Sequence, residues 1–165
     1  MEAKLGDICY PKSQILIVHG NLQGFMDYGY LKNIVKDGWQ IIQKEAFEKI
    51  KQNKNKLSLG DFFITGPGRL KRRGVNKIYH LIIREFPNDF TSLDIIQKGL
   101  HNLLKTIKDK KITCTVSSLG LECGGLEIKQ LARTIATTCN HYAYLDIKVI
   151  DENEEFINYV KSYCF

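Results

Sequence analysis

The chain has 165 residues, of which 44% are hydrophobic and 25% charged, with a net charge of +6 and five cysteines. These values suit one globular domain spanning 1–165 with a properly buried core. They exclude a disulfide scaffold, because the cysteine number is odd, and a zinc knuckle, because there is no CxxC and no histidine at ligand spacing.

No apolar run approaches the roughly 18 residues needed to cross a bilayer. The opening MEAKLGDICY lacks a basic segment followed by an apolar one, so no signal peptide and no membrane partner are expected. A monomer in the cytoplasm or nucleus is the expectation. The cysteines Cys9, Cys114, Cys123, Cys139 and Cys164 are expected to be mostly small core residues. The positive charge is carried by 19 lysines against 5 arginines. Two clusters, 49–56 (KIKQNKNK) and 69–73 (RLKRR), are either solvated loop charge or a surface for nucleic acid.

Taken in order, the apolar pattern alternates between strands and helices. ILIV (15–18) is a continuous apolar run, as expected of a strand covered on both faces. GYLKNIVKD follows with Leu31, Ile34 and Val35 at helical spacing, and 41–52 is an amphipathic helix presenting Ile42, Ala46, Phe47 and Ile50. DFFITG (61–66) and NKIYHLII (76–83) read as strands around a turn-forming GPGRLKRRG. The segment 91–109 is a helix capped by Thr91 or Ser92, with a buried stripe from Ile95 to Ile107. A strand over 111–119, a helix over 126–139, a strand over 143–150 and a helix over 154–163 complete the order β-β-α-α-β-β-α-β-α-β-α.

Such alternation predicts an α/β domain, a central sheet with helices on both faces, and a ligand crevice at the carboxyl ends of the strands. Two glycine-bearing segments leave strands there and lead into helices: HGNLQGFMDYG (19–29) and SSLGLECGGLE (117–127). Glycines let the backbone approach an anion closely, and successive N–H groups then form an anion nest. His19 reads as a strand-end residue packing beneath the first loop.

With both loops in place, the chain resembles the macrodomain family, the ADP-ribose-binding α/β/α module, over Leu5 to Tyr159. The first loop is similar to the H-x-x-N-x-x-G-x-M-G-x-G pattern of the terminal ADP-ribose glycohydrolase class and its bacterial and phage Appr-1''-p processing relatives. It keeps Asn21, Gly24, Met26 and Gly29. The second keeps Gly120, Gly124, Gly125 and Leu126. GDI (6–8) resembles the opening strand end of the family.

The resemblance implies a three-layer α/β/α fold with a central mixed sheet, and ADP-ribose or an ADP-ribosylated macromolecule as partner, with no cofactor and no metal. It implies that Asp7 accepts a bond from the adenine amino group beside Ile8, that Asn21 reaches the distal ribose, and that the glycines with Met26 and Leu126 line the cleft.

The chain departs from this pattern at three positions. Asp27 and Glu122 stand where the loops of the class have glycines, and Gly124 stands where the eukaryotic glycohydrolase has its catalytic aspartate. The lysine of that enzyme falls on Arg84, which stays protonated and is no amine nucleophile. A carboxylate about 5 Å from a phosphate costs roughly 3 kcal/mol at an effective dielectric near 20. The expected function is therefore ADP-ribose binding with weakened affinity, by a binding module rather than an enzyme. One alternative is an ADP-ribosyl hydrolase with Asp27 as catalytic base. The other is a macrodomain-shaped basic module for nucleic acid or protein.

Overall fold

The computed structural model describes residues 1–164, the Cys123 side chain excepted. Strands β1 (Glu2–Leu5), β2 (Ile15–Asn21), β3 (Phe62–Thr65), β4 (Lys77–Arg84), β5 (Thr113–Val116) and β6 (Asp146–Asp151) form one sheet in the order β1-β6-β5-β2-β4-β3. All neighbours run parallel except β3, which pairs antiparallel with β4 at one edge. Helices α1 (Leu31–Gly38), α2 (Ile41–Gln52), α3 (Leu93–Lys105), α4 (Ile128–Asn140) and α5 (Glu154–Ser162) cover the two faces. The result has the helices on both sheet faces that the alternation called for, in the three-layer arrangement around a mixed sheet that the resemblance implied.

The period of two along the strands builds two cores. On β2, Ile15 and Ile17 join the side chains of α3, α4 and α5, while Leu16 and Val18 join those of α1 and α2. On β4, Tyr79, Leu81 and Ile83 face the first group, and Ile78 and Ile82 the second. Every residue of β2 is buried, and each of its large aliphatic side chains contributes roughly 1.5–3 kcal/mol by leaving water. This double burial is why the ILIV run shows no alternation in sequence. The opposite case is β1, an edge strand of four residues with Glu2 and Lys4 exposed. A short charged edge discourages pairing with another sheet.

Ser92 caps α3 by accepting a hydrogen bond from the Ile95 N–H at 3.2 Å. Asn153 does the same for α5 with the Phe156 N–H at 2.9 Å. Helix α3 stops at Lys105, four residues before the expected end, and the last apolar residue of its stripe, Ile107, is buried from the loop beyond. On α2, Ile42 and Ala46 are buried, but Phe47 is 41% exposed and leaves the expected core face.

Three thiols, Cys9, Cys114 and Cys139, are buried and unbridged; Cys164 is half-buried, and Cys123 lies outside the described side chains. Burial pushes the thiols of Cys114 and Cys139 up to about 12, so they are inert core groups. No helix among the described residues is long and apolar enough to cross a membrane.

Candidate functional site

Five parallel strands deliver their carboxyl ends to one side of the sheet, and the residues there are polar. They are Asp7 just beyond β1, Asn21 at the end of β2, Arg84 at the end of β4, Ser117 and Ser118 after β5, and Asp151 closing β6. Strand order changes direction between β5 and β2, the position where neighbouring connections diverge and leave a crevice. A cavity of about 430 Å³ lies in this region, within the usual range for small-molecule sites. Asp7 and Ile8 form one part of its wall, and Ser118, Asp151 and Asn153 another. Tyr30 and Asn33, at the start of α1, and Leu121 and Glu122, from the second glycine loop, complete it together with Glu152.

The first loop is closed by its own hydrogen bonds. Asn21 is wholly buried. Its Oδ1 accepts from the Gln23 and Phe25 N–H groups at 3.0 and 3.2 Å, and its Nδ2 donates to the Phe25 carbonyl at 2.9 Å and to the Tyr28 hydroxyl at 3.1 Å. Gln43 on α2 anchors the same loop, donating to the Gly24 carbonyl at 2.7 Å and accepting from the Met26 N–H at 2.8 Å. Gly24 adopts φ +77°, and a Cβ there would lie 3.1 Å from Ile50 and 3.3 Å from the Ala46 carbonyl. Only glycine meets both demands.

Beneath this loop the buried polar groups are matched in sequence. The Tyr28 hydroxyl accepts from Asn21 and lies 3.4 Å from His19 Nδ1. His19 Nε2 lies 3.1 Å from Glu122 Oε1. Burial, reinforced by the nearby Arg84 charge and by His80, holds the His19 pKa well below its ordinary value, so the ring is neutral. Tyr30 accepts from the His19 N–H at 3.3 Å and is in close contact with Ser117 Oγ. Burial, then the Glu122 charge, pushes its hydroxyl pKa well up, and it stays protonated.

The second loop is held by charge. Arg84 is wholly buried, and its guanidinium meets Glu122 Oε1 at 3.0 Å and the Pro87 carbonyl at 3.3 Å. The Glu122 side chain is 19% exposed, and its Cγ would lie 3.1 Å from a Cβ on Gly29, so it reaches across to the first loop. Glu122 sits in a single 3-10 turn, Leu121–Cys123, between Gly120 and Gly124. Phe90, 72% exposed, lies over Gly125 and forms the outer rim.

The structure distributes the expected site residues unevenly. Asp7 and Ile8 line the cavity. Asp7 also accepts from the Cys9 N–H at 2.8 Å through Oδ1. Asn21 and Gly24 organise the loop. Met26 is 2% exposed and belongs to the core, and Leu126 packs against the other core. Gly29 and Gly120 flank Glu122 and Arg84, while Gly124 and Gly125 carry positive φ of 69° and 78° in the second loop.

Asp27 does not line the cavity. It is exposed and borders a separate groove of about 650 Å³ between α1 and α2, beside Lys32, Lys36 and Trp39. Ser118, Asp151, Glu152 and Asn153 belong to the site without having been singled out. The signal that locates them is position alone, at the carboxyl ends of β5 and β6. Of the basic clusters, Arg73 pairs with Asp37 at 2.8 Å and lies over the Tyr10 ring, and Arg69 lies over Trp39.

No protein-family model matches the chain, and no curated protein matches it by sequence. Solved structures do match. The macrodomain of Mycobacterium tuberculosis DarG superposes with a TM-score of 0.78 at 18% identity, covering 92% of this chain and 97% of that one. The Oceanobacillus iheyensis macrodomain with ADP gives 0.81 at 18% identity, over 98% and 87% of the two chains. The Trypanosoma brucei macrodomain in complex with ADP gives 0.78 at 12% identity, over 98% and 67%. The fold is a macrodomain fold. Within this frame the cleft at the carboxyl ends of the parallel strands is the candidate site, with Leu121 and Glu122 of the second glycine loop in its wall and Tyr30, just after the first, beside them.

Proposed function

We propose that this chain is a macrodomain-type reader that binds ADP-ribose, free or attached to a macromolecule, in the cleft between its two glycine loops. The observation that carries the reading is the placing of Asp7 and Ile8 in one wall of a 430 Å³ cavity whose far wall is the second glycine loop. Asp7 can accept a donor from a nucleobase, and the glycine backbones can approach a diphosphate. Two of the superposing macrodomains carry ADP. The loop spacing supports kinship with the terminal ADP-ribose glycohydrolase class. Arg84 replaces the lysine of that class, and a guanidinium is no nucleophile, so binding is favoured over lysine-based hydrolysis.

Calorimetric titration with ADP-ribose tests the reading. Saturable heat is expected, and Asp7→Asn, which keeps the acceptor for Cys9 but removes the charge, is expected to weaken binding about tenfold or more, the value of a charged hydrogen bond. No heat at millimolar ADP-ribose would discard it.

A further inference from the structure

The Arg84–Glu122 pair has the form of an occupied anion site. Arg84 is 0% exposed, and a cation in such a position needs a counter-charge within reach. Here the counter-charge comes from the chain itself. Glu122 contacts the guanidinium at 3.0 Å while its own side chain remains 19% exposed. The carboxylate lines the cavity, and the wholly buried cation lies behind it. Glu122 also lies against Gly29, so one side chain spans the gap between the two loops. Its short turn is flanked by Gly120 at φ +89° and Gly124 at φ +69°. Glycine at both ends lets the turn change its backbone angles with little steric cost.

We propose that Arg84 is the base of an anion-binding site and that Glu122 is its built-in, displaceable occupant. A phosphate of the ligand takes the place beside Arg84 when Glu122 turns out to solvent. This rests on the reading of the cleft as an ADP-ribose site, whose diphosphate is the incoming group. The exchange keeps one anion against the buried cation at every stage, so no step strands a buried charge. It also sets the cost of binding, because the ligand gains its contact with Arg84 only by breaking the internal one. Affinity is therefore restrained by Glu122 and set by the competition between two anions for one guanidinium.

The test is calorimetry with ADP-ribose and, separately, inorganic pyrophosphate on four proteins. Glu122→Gln is expected to bind ADP-ribose at least tenfold more tightly than the parent and to bind pyrophosphate measurably. Glu152→Gln removes a carboxylate from the same cavity wall without touching Arg84, and is expected to gain less than threefold. The double variant Arg84→Met/Glu122→Leu also lacks the carboxylate, yet is expected to lose the gain for both ligands.

Equal or weaker binding by Glu122→Gln overturns the proposal, as does a double variant that binds as tightly as Glu122→Gln. If Glu122→Gln does not fold, Glu122→Asp keeps the charge but shortens its reach; a threefold gain supports the exchange and no gain rejects it. Pyrophosphate binding by Glu122→Gln without ADP-ribose binding by any protein sustains the anion site and removes the ADP-ribose reading. Unchanged ADP-ribose binding across all variants does the reverse.

Discussion

The two glycine loops meet at Gly29 and Glu122 but are held by different physics. The first closes on Asn21 and Gln43 through neutral hydrogen bonds, all satisfied within the loop and α2, and its Gly24 is pressed against Ile50. The second is held in part by an ion pair whose carboxylate is partly in water, and a Cβ on its Gly124 would meet nothing within 4 Å. Neutral networks of this kind lose stability when any member is removed, because the partners are left buried and unpaired. An ion pair whose carboxylate reaches water can instead be traded for another anion. The first loop is therefore the fixed wall, and the second is the one built to exchange partners.

The sharpest way to break this contrast is Asn21→Ala. It removes four hydrogen bonds from a wholly buried position, and a loss of about 3–4 kcal/mol is expected, measured by urea unfolding. A loss near 1 kcal/mol would mean that water or Gln43 holds the loop without it.

Next come the two halves of the ion pair. Glu122→Gln strands the buried Arg84 and is expected to cost about 3 kcal/mol, the lower end for breaking a buried pair. Arg84→Met frees a carboxylate that can turn to water, and is expected to cost about 1 kcal/mol. Equal costs would show that Glu122 is as firmly buried as Arg84, contrary to the asymmetry of the site.

The glycines give a smaller version of the same test. Gly24→Ala combines a left-handed backbone with a contact at 3.1 Å, and is expected to cost about 2 kcal/mol. Gly124→Ala, with only the backbone cost at φ +69°, is expected to cost about 1 kcal/mol. Thermal midpoints of the two variants measure the difference.

The smallest effect is that of acid. Burial lowers the pKa of His80 to about 3 and holds that of His19 well below its ordinary value. The unfolded chain takes up these protons near pH 6.5 and the folded chain does not. Their contribution is complete above pH 6.5 and is lost as pH falls toward the folded values. Between pH 7 and 6 the two together cost on the order of 1 kcal/mol, readable from urea midpoints. No change over that interval would mean that the rings titrate in the fold as they do in the unfolded chain.

The sequence carried the elements well because each signal is local. The unbroken ILIV run, the Ser92 cap and the alternation of apolar periods all act within one or two turns of chain. The first loop was legible for the same reason, since its bonds join residues a few positions apart. Asp27 and Glu122 looked equivalent in sequence, two carboxylates at glycine positions. They differ because Asp27, in the segment before α1, borders the groove between α1 and α2, whereas Glu122 meets a cation 38 residues away in sequence. No local pattern encodes that distance. Met26 illustrates the reverse error: a residue assigned to the cleft by resemblance belongs to the core, since its neighbours on α1 and α2 provide the apolar surroundings that its side chain needs.

The sequence by itself therefore determined the order of strands and helices, the two-sided burial of β2, the placing of two glycine loops after central strands and the likeness to a macrodomain. Those properties follow from apolar periodicity and turn chemistry, which need no partner from elsewhere in the chain. The tertiary structure decided the contents of the cleft. It brought Asp7, Ser118 and Asp151 to one wall, sent Asp27 to another surface, and set Glu122 against a buried Arg84. Charge pairing depends on distances between strand ends far apart in sequence, and only the folded sheet sets those distances.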